Sequence, residues 1–225
     1  MPLSAPDFDQ IFVDGASFEG PWGSVTVDLV DAGLLRLSSG RLVAGDPFGV
    51  LCFPEEAKPF TATLPVGNHR VLIAALRPKP KADDAGRRRR GLPVASMILF
   101  EDTPVARWDM ALTRDLDLSG LSDQEFYGFG VDAGTAAYFD LDGLSELTID
   151  LDVMDHDDSE LFEALMDTSG MGPVQLTTPG GHTIVAFRSG PGDGTYPTWI
   201  GYAHDGRPAR VATCFEILRH VRRTG

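Results

Sequence analysis

The sequence predicts a mainly β protein, a single-domain antiparallel β-sandwich or barrel-like fold with one or two short helices. Three observations lead there. Short runs rich in Val, Ile, Leu and Phe recur along the chain, turn residues separate them at short intervals, and only one segment carries a clear helical period. No repeat at a fixed period and no Pro/Gly-rich linker divides the chain, so residues 1–225 are expected to form one domain.

The first strand signal is SVTVDLV (24–30), where Val25, Val27 and Leu29 alternate with Thr26 and Asp28. GLLRLSSGRLVAGDP (33–47) reads as a hairpin, two apolar runs about a tip at Ser39-Gly40-Arg41. Asp46 before Pro47 favours an extended or turn conformation. FTATLPVGNHRVLIAAL (60–76) reads as a second strand pair turning at Pro65 and Gly67-Asn68. Residues 94–102 fit a fully buried strand, and strand-like runs continue at 105–112, 126–140, 182–190, 196–206 and 209–218. Asp205-Gly206 marks a tight hairpin turn between the last two.

The helical segment is DDSELFEALMDTSG (157–170), with Leu161, Phe162, Leu165 and Met166 on one face. Asp157, Asp158 or Ser159 can cap its start and Gly170 its end, placing the helix over 157–169. SDQE, beginning at Ser122, matches a capping box and predicts a shorter helical turn.

At 225 residues the chain can bury about 70–75% of its unfolded surface, enough to fold without disulfides or metals. No apolar run approaches membrane-spanning length, and the N-terminus lacks the basic start and apolar core of a secretory signal. Cys52 and Cys214 have no CxxC spacing and read as buried thiols in a reducing, cytoplasmic setting, with a bridge between them as the lesser alternative. The formal charge of −14 argues against general nucleic-acid binding. Residues 140–167 concentrate eleven acids, whereas 77–91 is basic and holds Arg87–Arg90. That basic stretch reads as a surface loop or insertion between strands, with RNA or an acidic partner as the alternative.

Three acid-bearing turns are candidates for chemistry. In RSGPGDGTYPTW (188–199), Gly190, Gly192 and Gly194 permit positive backbone angles and close approach of a ligand, and such a loop can aim amides at an anion. Asp193 within it can accept those amides, bind a cation or act as a base. Ser189 flanks the loop, and Tyr196 and Trp199 can wall a pocket beside it. The second turn is Asp132-Ala133-Gly134-Thr135, an acid and a hydroxyl after an apolar stretch, and the third holds Asp46. Each also has a plainer explanation as a side chain that caps its own turn. The five histidines, His69, His156, His182, His204 and His220, are scattered without ligand spacing. No Walker loop, nucleophile elbow or regular EF-hand is present, and neither a cofactor nor a metal is expected. Trp22 and Trp108 read as core or interface anchors.

Several blocks occur in an order that resembles the bacterial domain-of-unknown-function family numbered 4241. They are LSSGRLVAGDPF, PFTATLPVGNHRVLIAAL, VARWDMAL, FYGFGVDAGTAAYFD and FRSGPGDGTYPTWIGYAHDGRPARVATCFEI, spanning roughly residues 33–217. The most specific block is SG-x-GDG-x-YP, Ser189 to Pro197, in which Pro191 stands where an aromatic is expected. The resemblance implies a soluble bacterial protein and carries over no activity or catalytic residue. The functional expectation is therefore a non-catalytic ligand- or protein-binding module of immunity or accessory type, whose acidic surface suits a basic partner such as a nuclease toxin. The alternative is a metal-assisted hydrolase of a phosphate- or sugar-bearing small molecule using Asp132 and Asp193, with Asp46 as a third carboxylate. Nucleic-acid recognition through Arg87–Arg90 ranks last.

Overall fold

A computed structural model describes residues 1–20, 23–78, 91–147, 172–215 and 222–224. The expected helix over 157–169, Arg87–Arg90, Trp22, His156 and His220 lie outside the described residues. In chain order the elements are α1 (Phe8–Ile11), β1 (Ser17–Gly20), β2 (Gly23–Leu37), β3 (Leu42–Gly45), α2 (Pro47–Cys52), β4 (Gly67–Pro78) and β5 (Leu92–Leu99). They continue as β6 (Arg107–Met110), β7 (Gly128–Val131), β8 (Thr135–Asp140), β9 (Val174–Thr177), β10 (Thr183–Arg188), β11 (Gly194–Tyr202), β12 (Pro208–Cys214) and β13 (Arg222–Arg223). Short 3₁₀ turns follow at Pro54–Glu56, Leu118–Gly120 and Leu141–Gly143.

The fold is mainly β, and the strand pairings among the described residues are antiparallel. The larger sheet forms a curled half-barrel in the order β13-β1-β2-β4-β5-β12-β11-β6, with β7 also paired to β11. The second sheet runs β3-β8-β10-β9. No helix among the described residues is long and apolar enough to cross a membrane.

Apolar layers form where alternation directs side chains. On the inner face, Leu35, Val71, Ile98 and Val211 of the larger sheet meet Tyr138, Val185 and Phe187 of the second. On its outer face, Val27, Met97, Trp199 and Ala212 are covered by Phe8 and Ile11 of α1. The second sheet's outer face, with Phe139, Ile184 and Ala186, is covered by Leu51, Leu144 and Leu147. All six residues of β8 and the first five of β10 are consequently buried. Strands covered on both faces need no polar alternation, which is why AAYF and TIVAF read as continuous runs.

A chain of hydroxyls crosses the inner core. Ser96 on β5 and Tyr138 on β8 share a hydrogen bond of 2.7 Å; Tyr138 and Thr213 on β12 share one of 2.8 Å, and Thr213 and Thr198 on β11 another of 2.8 Å. All four side chains are buried, and burial pushes the Tyr138 phenol up to about 12, so it stays a neutral donor and acceptor.

The strand pairing departs from the local reading at three places. The 33–47 stretch is not a hairpin, because β2 pairs with β4 in the larger sheet while β3 pairs with β8 in the second. The Ser38-Ser39-Gly40 corner carries the chain between sheets and is held by a distant acid. Asp140 Oδ2 accepts from the amides of Ser38 (2.5 Å) and Ser39 (3.0 Å), and both serine hydroxyls donate to the same carboxylate. Residues 60–76 supply one strand, β4, preceded by an isolated bridge from Phe60 to Thr113 rather than a second strand. At Ser122 the side chain of Glu125 does accept from the Ser122 amide at 2.8 Å, but Gln124 takes φ +61°, so no helical turn forms. The β11–β12 hairpin turns through Asp205-Gly206 as its sequence predicts, with Gly206 at φ +83°.

Two measurements check these long-range ties. Tyr138→Phe removes a hydroxyl that two buried groups share, and is expected to cost about 1–3 kcal/mol in chemical denaturation. For Asp140, burial alone raises the carboxyl pKa, but the bonds from Ser38 and Ser39 outweigh it and hold the group below its ordinary value. The stabilisation from a depressed carboxyl is complete above the unfolded pKa of about 4 and is lost as the pH falls through the lower folded value. Asp140→Asn should therefore be less stable than wild type near neutral pH by roughly 1–3 kcal/mol, with the gap narrowing on acidification below about pH 4.

Candidate functional site

The acid-bearing turns gather at one edge of the fold. Ser189, at the end of β10, donates its amide to the carbonyl of Gly134 at 3.1 Å. A β-carbon built on Gly134 would lie 3.7 Å from the Cα of Gly192, so the Asp132–Thr135 turn touches the glycine loop. The Asp46 carboxylate supplies the third tie, because its Oδ2 accepts from the amides of Asp132 (2.9 Å) and Ala133 (2.8 Å).

Each turn has a local reason for its shape. Gly190 takes φ +70°, and a β-carbon there would meet the Pro93 carbonyl at 2.7 Å and the Phe215 Cβ at 2.8 Å, so glycine alone fits. The buried Ser189 hydroxyl donates to the Gly192 carbonyl at 2.7 Å, and the Tyr196 hydroxyl donates to the same oxygen at 2.6 Å. The loop is thus braced by hydroxyls that close on its own backbone. Tyr196 is buried with Phe129 and Phe215 around its ring, and Trp199 is buried beside Phe8. Thr135 is buried at the start of β8, and Gly194 opens β11 opposite Val131.

The three acids differ in what their carboxylates do. Besides the two amides of the neighbouring turn, Asp46 accepts from the Phe48 amide at 2.9 Å and so caps α2, with Pro47 in its first turn. Asp46 itself is extended, as a residue before proline is expected to be, and the helix begins at Pro47. Asp132 and Asp193 both present exposed side chains on touching turns. Among the described residues no three His, Cys, Asp or Glu side chains cluster as metal ligands. His69 is held by the Pro65 carbonyl at 2.8 Å and packs edge-on to Phe100, burial lowering its pKa. His182 lies 3.7 Å from Glu146, and His204 is exposed in the β11–β12 turn. Cys214 is buried, whereas Cys52, expected to be buried, is exposed at the end of α2, and neither forms a disulfide.

Beside the Asp46 corner lies a cleft of about 430 Å³ between β3 and α2 on one side and, on the other, β7 with Ala111, Thr113 and Leu116 of the segment after β6. Val43, Val50, Phe53, Phe60, Leu116 and Phe129 supply apolar wall. Phe53 is 57% exposed, a large cost-bearing apolar surface for a ring outside any core layer. Asp46 and Thr198 also line the space, as do Glu56 and Lys58. Apart from Asp46, none of the anticipated site residues lines it. The signal in the sequence was the apolar run PFGVLCF (47–53), directly after the Asp-Pro start of α2.

Replacing Asp46 by Ala removes the carboxylate that accepts from three backbone amides, and is expected to lower stability by about 2–4 kcal/mol and to broaden or shift the amide resonances of Asp132 and Ala133 in NMR spectra. No curated protein and no solved structure matches the chain. A family model described as "Protein of unknown function (DUF4241)" matches residues 35–213, which take in β3, the cleft, the three acid-bearing turns and most of both sheets. The chain belongs to the DUF4241 family.

Proposed function

We propose that the protein is a binding module of immunity or accessory type that receives a ligand or a segment of a partner protein in the cleft between β3–α2 and β7, without turning it over. The observation that carries this reading is the cleft itself: about 430 Å³ of concave, mostly apolar wall with a few polar groups at its margin. Sites of this size and character are where proteins bury small ligands and anchor side chains. The formal charge of −14 adds long-range attraction for a basic partner. The Asp46 carboxylate, fully engaged with backbone amides, serves here to hold the cleft wall to the neighbouring turn.

A second reading takes the contact between the Asp132 and Asp193 turns as its support, with the two exposed carboxylates sharing a divalent cation in a hydrolase of phosphate- or sugar-bearing substrates.

One substitution separates the two. Gly49 lines the cleft, and a β-carbon there meets nothing within 4 Å, so a side chain can start there and Gly49→Trp is chosen to fill the space. Binding of small-molecule and peptide ligands, followed by amide shifts at Val43–Gly45 and Gly128–Gly130, should be lost in Gly49→Trp. Ligand shifts that persist unchanged in this variant remove the cleft from the binding reading. Magnesium-dependent turnover that disappears in Asp132→Asn and Asp193→Asn and survives in Gly49→Trp establishes the hydrolase instead.

A further inference from the structure

One wall of the cleft is a sheet edge. β7 pairs with β11 on one side, and among the described residues no strand pairs with its other side. Which of its backbone groups point outward follows from the alternation of antiparallel pairing. Ala111 donates its amide to the Thr198 carbonyl at 2.8 Å, so the even-numbered residues of β11 direct their polar groups towards β6 and β7. The facing pairs Tyr196–Phe129 and Gly194–Val131 are therefore the hydrogen-bonded ones. Gly128 and Gly130 sit opposite Pro197 and Thr195, at the intervening positions, and turn their N–H and C=O groups away from β11. Both glycines are exposed and both line the cleft.

Across the cleft β3 is the end strand of the second sheet. The Leu42 carbonyl accepts from the Phe60 amide at 2.9 Å, and the Arg41 carbonyl from the Leu141 amide at 3.0 Å. That alternation puts Ala44, which also lines the cleft, on the same outward side as Leu42. Two edges thus present backbone donors and acceptors to one apolar space. Proteins guard such edges with Lys, Pro or a covering element, and GFGV on β7 has neither of those residues.

We propose that the β7 edge is a strand-addition site: an extended segment of a partner protein pairs its backbone with Gly128 and Gly130 and sets an apolar side chain into the cleft, between basic flanking residues. The inference rests on the cleft being the binding site. An extended backbone is the occupant because only it offers donors and acceptors at the spacing of a free strand. The period of two then sends alternate side chains towards the apolar wall of Val43, Val50 and Phe53. The charge of the flanks follows from the formal charge of −14; around the cleft Glu55, Glu56, Asp115 and Asp132 are exposed, with Arg114 and Lys58, the latter 3.5 Å from Asp115, as the cations beside them.

The test uses an acetylated, amidated heptapeptide, Lys-Thr-Val-Phe-Val-Thr-Lys, with the full chain. Gly130→Pro deletes the outward N–H, on the side where no described strand pairs with β7, while Gly130→Ala adds a β-carbon into open space and keeps that N–H. Calorimetry should show the peptide bound by wild type and Gly130→Ala, and weakened about tenfold or more in both Gly130→Pro and Gly49→Trp. Thermal melting should show that all three variants are folded. Equal affinity in Gly130→Pro and Gly130→Ala overturns strand addition and, if Gly49→Trp still abolishes binding, leaves the cleft reading standing. Absence of wild-type binding at about 1 mM peptide also overturns it, since that is the weak end of measurable association. A wild-type dimer in sedimentation that Gly130→Pro dissolves overturns it as well, by making the occupant a second copy of the chain. Should Gly130→Pro unfold, a peptide N-methylated at alternate residues replaces it, and unchanged affinity for that peptide is the overturning result.

Discussion

Tyr138 carries its phenol into the interface between the two sheets, where Ser96 and Thr213 of the larger sheet bond it at 2.7 and 2.8 Å. A tyrosine in a dry interior is tolerable only with such partners, since an unpaired hydroxyl there costs as much as several good apolar contacts. Sliding β8 along the half-barrel would break both bonds, so the phenol fixes register between layers that apolar packing alone would leave free to shift. The position of β8 sets that of β3 through Val43–Phe139 and its neighbours, and β3 forms one wall of the cleft. The geometry of the candidate site therefore depends on a polar contact in the core.

Carboxylates do comparable work at the periphery. Asp140 holds the corner by which the chain leaves the larger sheet for the second, and Asp46 holds the next corner against the Asp132 turn. In both cases an acid collects amides that have no partner within their own segment. Charge on the acceptor makes these bonds stronger than neutral ones, which suits irregular backbone that must stay in place at the margin of a cleft.

How much of this was legible in the sequence depended on the range of the interaction. The alternation of Val25, Val27 and Leu29 identified β2, and the unbroken apolar runs of β8 and β10 identified strands, because those patterns report local burial. The Asp-Gly turn between β11 and β12 was readable for the same reason. Ser38-Ser39-Gly40 misled because its turn chemistry is that of a hairpin tip, while the partner that decides its course, Asp140, lies about a hundred residues away in sequence. The extended conformation of Asp46 before Pro47 was readable from the proline, whereas the helix that follows and the cleft beside it depend on packing against β8 and β7. The loops with Asp132 and Asp193 were singled out for their composition, and their contact emerges from the pairing of β7 and β8 with different sheets.

Thr198 ends the buried hydroxyl series and also lines the cleft. A hydroxyl has a single proton to give, so the orientation adopted at one member constrains the next along Thr213, Tyr138 and Ser96. An occupant that offered Thr198 a donor would favour one polarity of the whole row, and one that offered an acceptor would favour the reverse. Occupancy of the cleft would then be written as a direction of dipoles deep between the layers, with no atom heavier than hydrogen having to move.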